Sequence, residues 1–396
     1  MILVSVCLLL FFLWLLQESI KISRKIHCVP LRICVTGTRG KSSVTRLIAG
    51  ALKESGVSVL ARTTGSKPMI VFPDGSEKEI ERRGHPSILE GKKILKLASQ
   101  LKVKALVVEM MSIQPECLHI ESLHLFKPHI LVLTNIRTDH ISQMGSKKKD
   151  VAGCFSSSIP SQADIFIPKE DDFAVIDKTA KMIHSNVHKV SDYHYDKTGD
   201  TRIQLPFYEF DENISLSLAV LDFIGIERQL ALKGMSGIQL DYGSLKVWKT
   251  NKEFMPPCQY FVNLFASNDP ESTKNALMLI KKRDFFKKRT CIGVLSLRDD
   301  RGDRSLQWLE SLKKGTFSEF KKFFFVGKHS FVMKRKLGKR NDMDVVVYRK
   351  PEPERIIHDI SKEEKGSVVI VGMGNIEGFG KKMVGYWEKE GEICAL

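Results

Sequence analysis

The sequence predicts an α/β protein with two sheet domains, a larger one that carries a phosphate-binding loop and a smaller one after it, preceded by a membrane-spanning helix. Three observations carry that prediction. Short apolar β-rich runs alternate with helical stretches through most of the chain, the pattern of a parallel sheet with crossover helices. The glycine-containing stretch VTGTRGKSS (35–43) falls between one such strand and one such helix. Residues Ile2 to Leu16 form an unbroken apolar run, followed at once by Lys21, Arg24 and Lys25.

A chain of 396 residues buries one or two cores, and usual domain sizes favour two. Its 43% hydrophobic and 27% charged residues exclude a disordered chain and a polytopic membrane protein. The 62 Lys and Arg outnumber the 46 Asp and Glu, and the net charge of +16 draws polyanions and anionic membrane surfaces. Cysteines stand at positions 7, 28, 34, 117, 154, 258, 291 and 394 with no CxxC pair and no metal-ligand spacing, so they read as reduced thiols.

The apolar run spans roughly 22 Å as a helix, a little under the ~30 Å hydrocarbon core, so flanking residues must snorkel or the bilayer must thin. A cleaved signal peptide would want a positive n-region and a small-residue cleavage site, and neither is present. The run therefore reads as an uncleaved single-pass anchor (1–20) in the cell membrane. Positive charge after it places the N-terminus outside and everything beyond Lys21 in the cytoplasm.

Along the chain, LRICVT (31–36) reads as a strand, and Lys41 to Ser55 as a helix with Val44, Leu47, Ile48, Ala51 and Leu52 on one face. Gly56 ends that helix. Further strands are predicted at VSVLAR (57–62), ALVVEM (105–110), HILVLTNI (129–136) and ADIFIP (163–168), each nearly all apolar as buried parallel strands are. ISLSLAVLDFIGI (214–226) reads as a buried helix. Near 236–258 the chain becomes rich in Gly, Asp and Pro before a second alternating series begins with YFVNLFA, CIGVLSL, FKKFFFVG, DVVVY and SVVIVGMG. The expected domains are thus 21–236 and a Rossmann-like 237–396. KKRDFFKKR (281–289) reads as a solvated helix end.

In VTGTRGKSS, Gly37 and Gly40 let the backbone fold tightly around an anion, while the amides of Thr38, Arg39 and their neighbours and the helix N-terminus favour phosphate oxygens. Lys41 would reach the β/γ-phosphates of ATP, and Ser42, beside Ser43, would hold Mg²⁺. The strict phosphate loop wants glycine at position 35, where this chain has Val35. A nucleotide site also needs an acid at the end of a neighbouring strand, and Glu109 closes ALVVE in that manner. TNIRTDHISQMG (134–145) offers Asn135, Asp139 and His140 where parallel sheets place ligands. An NKxD motif for guanine is absent.

In their order along the chain, GTRGKSSVTRL, RTTGS, VVEMMS, TNIRTDHISQMG, ENISLSLAV, FASNDPEST, LRDDRGDRSLQW and VGMGNIEG resemble the ligase subunit of bacterial poly-γ-glutamate synthase, in the Mur-ligase superfamily. The resemblance covers nearly the whole chain, the anchor included. It implies an ATP-dependent amide ligase that phosphorylates a glutamate carboxylate to an acyl phosphate, which another glutamate's amine attacks. By the same resemblance Lys41 meets the transferred phosphate, and Ser42, Glu109 and His140 bind Mg²⁺. Asn213 lies near the adenine, and Thr63 and Thr64 line the acceptor pocket. Asn268, Asp269, Arg301, Asp303 and Arg304 close on nucleotide and acceptor. The implied partners are glutamate, the growing poly-γ-glutamate chain, the membrane and other membrane subunits of a capsule synthase.

Two departures stand out. The carbamylated lysine that many Mur ligases place some fifteen residues after the DH histidine has no counterpart in CFSSSIP, which argues against a second bridged metal. The phosphate loop also begins about twenty residues after the anchor, which disfavours a UDP-muramyl acceptor. Two alternatives share the loop: a folylpolyglutamate-synthase-like ligase, which has no need of an anchor, and a membrane-tethered ATPase acting as a switch or scaffold. No nucleic-acid-reading motif stands out. His184, His188 and His194 read as surface histidines rather than a metal pair on one helix face. GMGNIEG reads as a tight strand-to-helix turn near the acceptor, and Cys117 and Cys154 as packing residues.

Overall fold

The computed structural model describes residues 2–65, 67–82, 84, 86–138, 141–171, 173–191, 205–250, 259–287, 289–300, 302–338 and 343–394, with 141 and 142 as backbone alone. It divides into two compact units, Met1–Leu205 with Glu209–Asp241, and Pro206–Tyr208 with Tyr242–Leu396.

Unit 1 begins with helix α1 (Ile2–His27), long and apolar enough to cross a membrane. Strands β1 (Leu31–Thr36), β2 (Val59–Thr63), β3 (Met69–Val71), β4 (Glu77–Glu79), β5 (Ala105–Glu109), β6 (Ile130–Leu133), β7 (Asp164–Pro168) and β8 (Asn186–Val190) form one sheet in the order β4-β3-β2-β5-β1-β6-β7-β8. From β2 to β8 the pairings are parallel, and β3 and β4 add an antiparallel hairpin at the edge. The accompanying helices are α2 (Lys41–Glu54), α3 (Glu90–Gln100), α4 (Pro115–His119), α5 (Ile141–Met144), α6 (Lys148–Ser156), α7 (Ala174–Met182), α8 (Asp211–Phe223) and α9 (Arg228–Ser236). Strands β2, β5 and β6 are buried along their whole length, which is why they read as unbroken apolar runs.

Where the periodicity placed a strand or a helix, the described element lies within a residue or two at most ends, whereas helices α3 to α7 and α9 had not been placed. β3, β4 and β8 went unread: two are short, half-exposed edge strands, and β8 carries the polar NVHKV. In that last stretch His184 lies in a turn at φ +58° and His188 on β8, where Nε2 meets Asp164 at 2.8 Å. The two are thus not on one helix face, and His194 lies outside the described residues.

Unit 2 is a second sheet, ordered β13-β12-β11-β14-β10-β9-β15. Its strands are β9 (Val247–Thr250), β10 (Gln259–Leu264), β11 (Thr290–Ser296), β12 (Phe320–Val326), β13 (Asp344–Tyr348), β14 (Val368–Gly374) and β15 (Glu392–Ile393). The five central and distal strands are parallel, whereas β9 and β15 run antiparallel. Helices α10 (Pro270–Ile280), α11 (Gly302–Lys313), α12 (Ser330–Leu337), α13 (Pro353–Glu363) and α14 (Lys381–Glu390) complete it. Trp387 of α14 stacks on Phe261 and Phe265 in its core. β14 passes into α14 through glycines at φ +92° (Gly374) and +68° (Gly378), the tight turn expected of GMGNIEG.

Candidate active site

The phosphate loop joins β1 to α2, at the edge of the sheet where parallel strands end and ligands bind. Gly37 takes φ +123° and Gly40 φ +80°, the second as the residue preceding the first turn of α2. A Cβ on Gly37 would lie 2.3 Å from Thr134 Oγ1 and 2.8 Å from Thr134 N, so only glycine lets the loop pass this close. The segment after β6 laces the loop from behind. Thr38 N donates to Asn135 O at 3.0 Å, Arg39 N to Asn135 Oδ1 at 3.0 Å, and Asn135 Nδ2 to Arg39 O at 3.1 Å. Thr38 Oγ1 donates to Arg137 O, and Thr134 Oγ1 donates to Arg39 O. Asp171 in turn accepts from Ile136 N at 2.7 Å, and burial pushes its carboxyl above the usual range.

Lys41 Nζ curls over this loop and donates to Gly37 O at 2.8 Å. Ser42 Oγ donates to Glu109 Oε2 at 2.8 Å, and the amide of Thr64 donates to the same oxygen at 2.6 Å. Thr63 is wholly buried at the end of β2, and Gly65 comes so near that a Cβ there would sit 2.5 Å from Ser42 Oγ. Lys41, Ser42, Thr63, Thr64 and Glu109 are therefore neighbours, though up to 68 positions separate them (41 to 109). Behind them Arg62 and Glu121 form an ion pair at 2.9 Å with both side chains fully buried. Arg62 also donates to Glu109 O, and Glu121 accepts from Met111 N, Ser112 N and Ser112 Oγ. That pair fixes the end of β5 and hence the direction of the Glu109 carboxylate.

Asn213, in the first turn of α8, reaches the same loop: a Cβ on Gly40 would lie 2.4 Å from Asn213 Oδ1. Its Nδ2 donates to Glu209 Oε1 at 2.7 Å. Glu209 is half-buried, and burial pushes its carboxyl up against the opposing hydrogen bonds from Asn213, Phe210 N and Ser43. Asp139 and His140 lie outside the described residues, as does Arg301.

The residues present suit a hard divalent cation. Ser42 Oγ and the Glu109 carboxylate are oxygen donors 2.8 Å apart, and magnesium is usually held by one or two carboxylates together with substrate phosphates and water. No group of three or more His, Cys, Asp or Glu that could cage a metal occurs among the described residues.

In unit 2, Asn268, Arg298, Arg304, Ser305, Trp308 and Asn375 line a shallow, open cleft at the ends of β11 and β14. Trp308 Nε1 donates to Asn268 O at 3.1 Å, and Asn268 itself holds φ +44°. Arg298 grips Asp300 through Nε at 2.7 Å. Of the other anticipated residues, Asp269 caps α10 by accepting from Ser272 N at 2.8 Å, and Asp303 lies exposed in the first turn of α11. Sequence reasoning missed Arg62, Glu121, Asp171 and Glu209, which bear on the site through other residues. It also missed Arg298, Ser305, Trp308 and Asn375, although Arg298, Ser305 and Trp308 stand in the quoted LRDDRGDRSLQW.

Fold and site define the class: the chain belongs to the Mur ligase family, whose middle-domain model matches residues 35–237, just over half of it. Residues 255–390 match the poly-gamma-glutamate synthase CapB C-terminal domain. It is 30% identical over 314 residues to the capsule biosynthesis protein CapB of Bacillus anthracis, an alignment that covers 77% of this chain and 65% of that protein. It is 26% identical over 393 residues to the PGA synthase CapB of Bacillus subtilis (strain 168), covering 96% of each. The fold is similar to that of E. coli FolC solved with DHPP and ADP, at a TM-score of 0.68 and 14% identity over 93% of this chain and 91% of that one.

Proposed function

We propose that this chain is a Mg-ATP-dependent amide ligase that extends poly-γ-glutamate at the membrane. The observation that carries the reading is the braced loop from Gly37 to Ser42, with Lys41 above it and Ser42 held against Glu109. A glutamate carboxylate oxygen attacks the terminal phosphoryl group of ATP, and ADP leaves. The amine of a second glutamate then attacks the acyl phosphate, forming the amide and releasing phosphate and a proton.

The chain's task in both steps is positioning and charge neutralisation. Lys41 swings from the loop carbonyls to the transferring phosphoryl group. Glu109 orients Ser42 Oγ, and the two with His140 would hold Mg²⁺, which would supply further positive charge at the phosphate oxygens. Asn213, steadied by Glu209, faces the adenine. Thr63 and Thr64 border the acceptor. In unit 2 the pocket at Asn268, Arg304 and Trp308 takes the incoming amino acid, its guanidinium matched to a carboxylate. Asp269, Arg301 and Asp303 assist in closing on nucleotide and acceptor.

Helix α1 anchors the enzyme, with the N-terminus outside and both units in the cytoplasm. The net charge of +16 keeps the polyanionic product close, and other membrane subunits take it onward. The test is glutamate-dependent ADP release by membranes carrying the chain, with Lys41→Ala as the control. The variant should lose that release while keeping its melting temperature. ADP release that needs no glutamate would instead mark an ATPase switch, and undiminished activity in the variant would remove Lys41 from the chemistry.

A further inference from the structure

Helix α1 does not stop where its apolar run stops. It continues unbroken to His27, and its last part belongs to the body of unit 1, with Ile26 buried and Ile22 packed into the core. Glu18 Oε1 accepts from Lys92 Nζ of α3 at 2.8 Å. The two helices run side by side in the same sense, because both lead into neighbouring parallel strands at one edge of the sheet: Leu31 at the start of β1 pairs with Ala105 at the start of β5.

Glu18 follows Leu16 by two residues, roughly 3 Å along the axis. Lys92 therefore stands just outside the hydrocarbon, and the beginning of α3 lies nearer still. Leu89, which precedes α3, is 59% exposed, and Lys93 and Lys96 are exposed on the same helical face at spacings of four and seven residues. On α1, Lys21 and Arg24 are exposed and Lys25 half-buried at the same level. No acidic side chain of α3 itself offsets this face except Glu90, which is engaged by Arg82 at 2.9 Å.

We propose that the start of α3 is a lipid-docking surface that seats unit 1 on the anionic cytoplasmic leaflet. Leu89 enters the headgroup boundary, and Lys93 and Lys96 join Lys21, Arg24 and Lys25 in binding headgroup phosphates. The proposal rests on the reading of α1 as an anchor. It adds that the catalytic unit is held flat against the membrane in one orientation rather than swinging on a tether. The occupant is lipid because the patch is continuous with the anchor, its charge is opposite to that of the leaflet, and its one large apolar side chain lies closest to the bilayer.

The test uses the full-length chain in vesicles of phosphatidylcholine alone or with phosphatidylglycerol. A photo-crosslinking benzoylphenylalanine replaces Phe12, Leu89 or, as an exposed control at the C-terminal end of α7 in the same unit, Met182. Docking predicts lipid adducts at 12 and 89 but not 182, with the yield at 89 several-fold higher when phosphatidylglycerol is present. Lys93→Glu with Lys96→Glu should remove that gain and leave the yield at 12 unchanged. Adducts at 12 with none at 89 would overturn the docking and leave the anchor standing. No adduct at 12 would overturn the anchor reading itself. Equal yields at 89 in both lipids, or adducts at 89 to a second copy of the protein, would overturn the headgroup assignment.

Discussion

Replacing Gly37 with alanine tests whether the loop's shape is what binds phosphate. The backbone sits at φ +123°, and the new Cβ would lie 2.3 Å from Thr134 Oγ1, 2.8 Å from Thr134 N and 3.1 Å from Asn135 N. The hydroxyl can rotate away, but the two backbone nitrogens cannot. Holding a non-glycine residue in so sparse a region costs about 1–3 kcal/mol. Turning Thr134 aside gives up its bonds to Thr36 O and Arg39 O, at about 0.5–1.5 kcal/mol each. The sum, about 2–6 kcal/mol, corresponds to a fall of roughly 4–24 °C in the melting of a unit of this size. Gly56→Ala is the matched control: φ is +82°, nothing lies within 4 Å of the added carbon, and the cost is about 1–2 kcal/mol. Calorimetry of both variants, with titration of a non-hydrolysable ATP analogue, separates the steric effect from the conformational one. Gly37→Ala should melt well below Gly56→Ala and bind the analogue at least about tenfold more weakly, 1.4 kcal/mol being a factor of ten. If the two melt together and bind alike, the loop is not the phosphate seat.

Two further variants probe its supports. Glu121→Ala leaves Arg62 charged in a fully buried setting, so it should cost about 3–5 kcal/mol, read from the urea midpoint, with Glu121→Gln in between; a loss below about 1 kcal/mol would show the pair to be dispensable. For Glu209 the sign follows from its raised carboxyl: the folded state keeps a proton above the ordinary value of 4.5, which unfolding releases. Stability is then greatest at or below that value and declines as pH rises towards the folded value. Glu209→Gln should flatten this decline in melting curves across pH while Glu209→Ala loses stability throughout, and an unchanged pH profile in the Gln variant would refute the assignment.

The phosphate loop, the strands beside it and Glu109 were legible because each writes a local pattern: glycines between a strand and a helix, or one acid closing an apolar run. The supports were not, because a buried partner is defined by distance in space. Arg62 and Glu121 stand 59 positions apart and Asp171 and Ile136 stand 35 apart, and although Arg62 and Ile136 fall within quoted motifs, nothing in sequence marks either as the partner of its acid. Glu209 is four residues from Asn213, yet within LPFYEF before α8 a single acid forms no pattern of its own. The unit 2 pocket was half legible: Asn268 and Arg304 came through the family's motifs, whereas Trp308, four residues beyond Arg304, reads as an ordinary core aromatic. The β3–β4 hairpin turns at Pro73, Asp74 and Gly75, with Gly75 at φ +91°, a turn signature that was present but overshadowed by the polar residues around it.

The lacing of the phosphate loop to Thr134, Asn135 and Arg137 has one more consequence. All three lie in one short stretch after β6, so the bonds that hold Thr38 and Arg39 in place depend together on a single segment of backbone. A change at Asn135 would not dim one contact but detune the whole assembly, and a lesion there would resemble the loss of several residues at once.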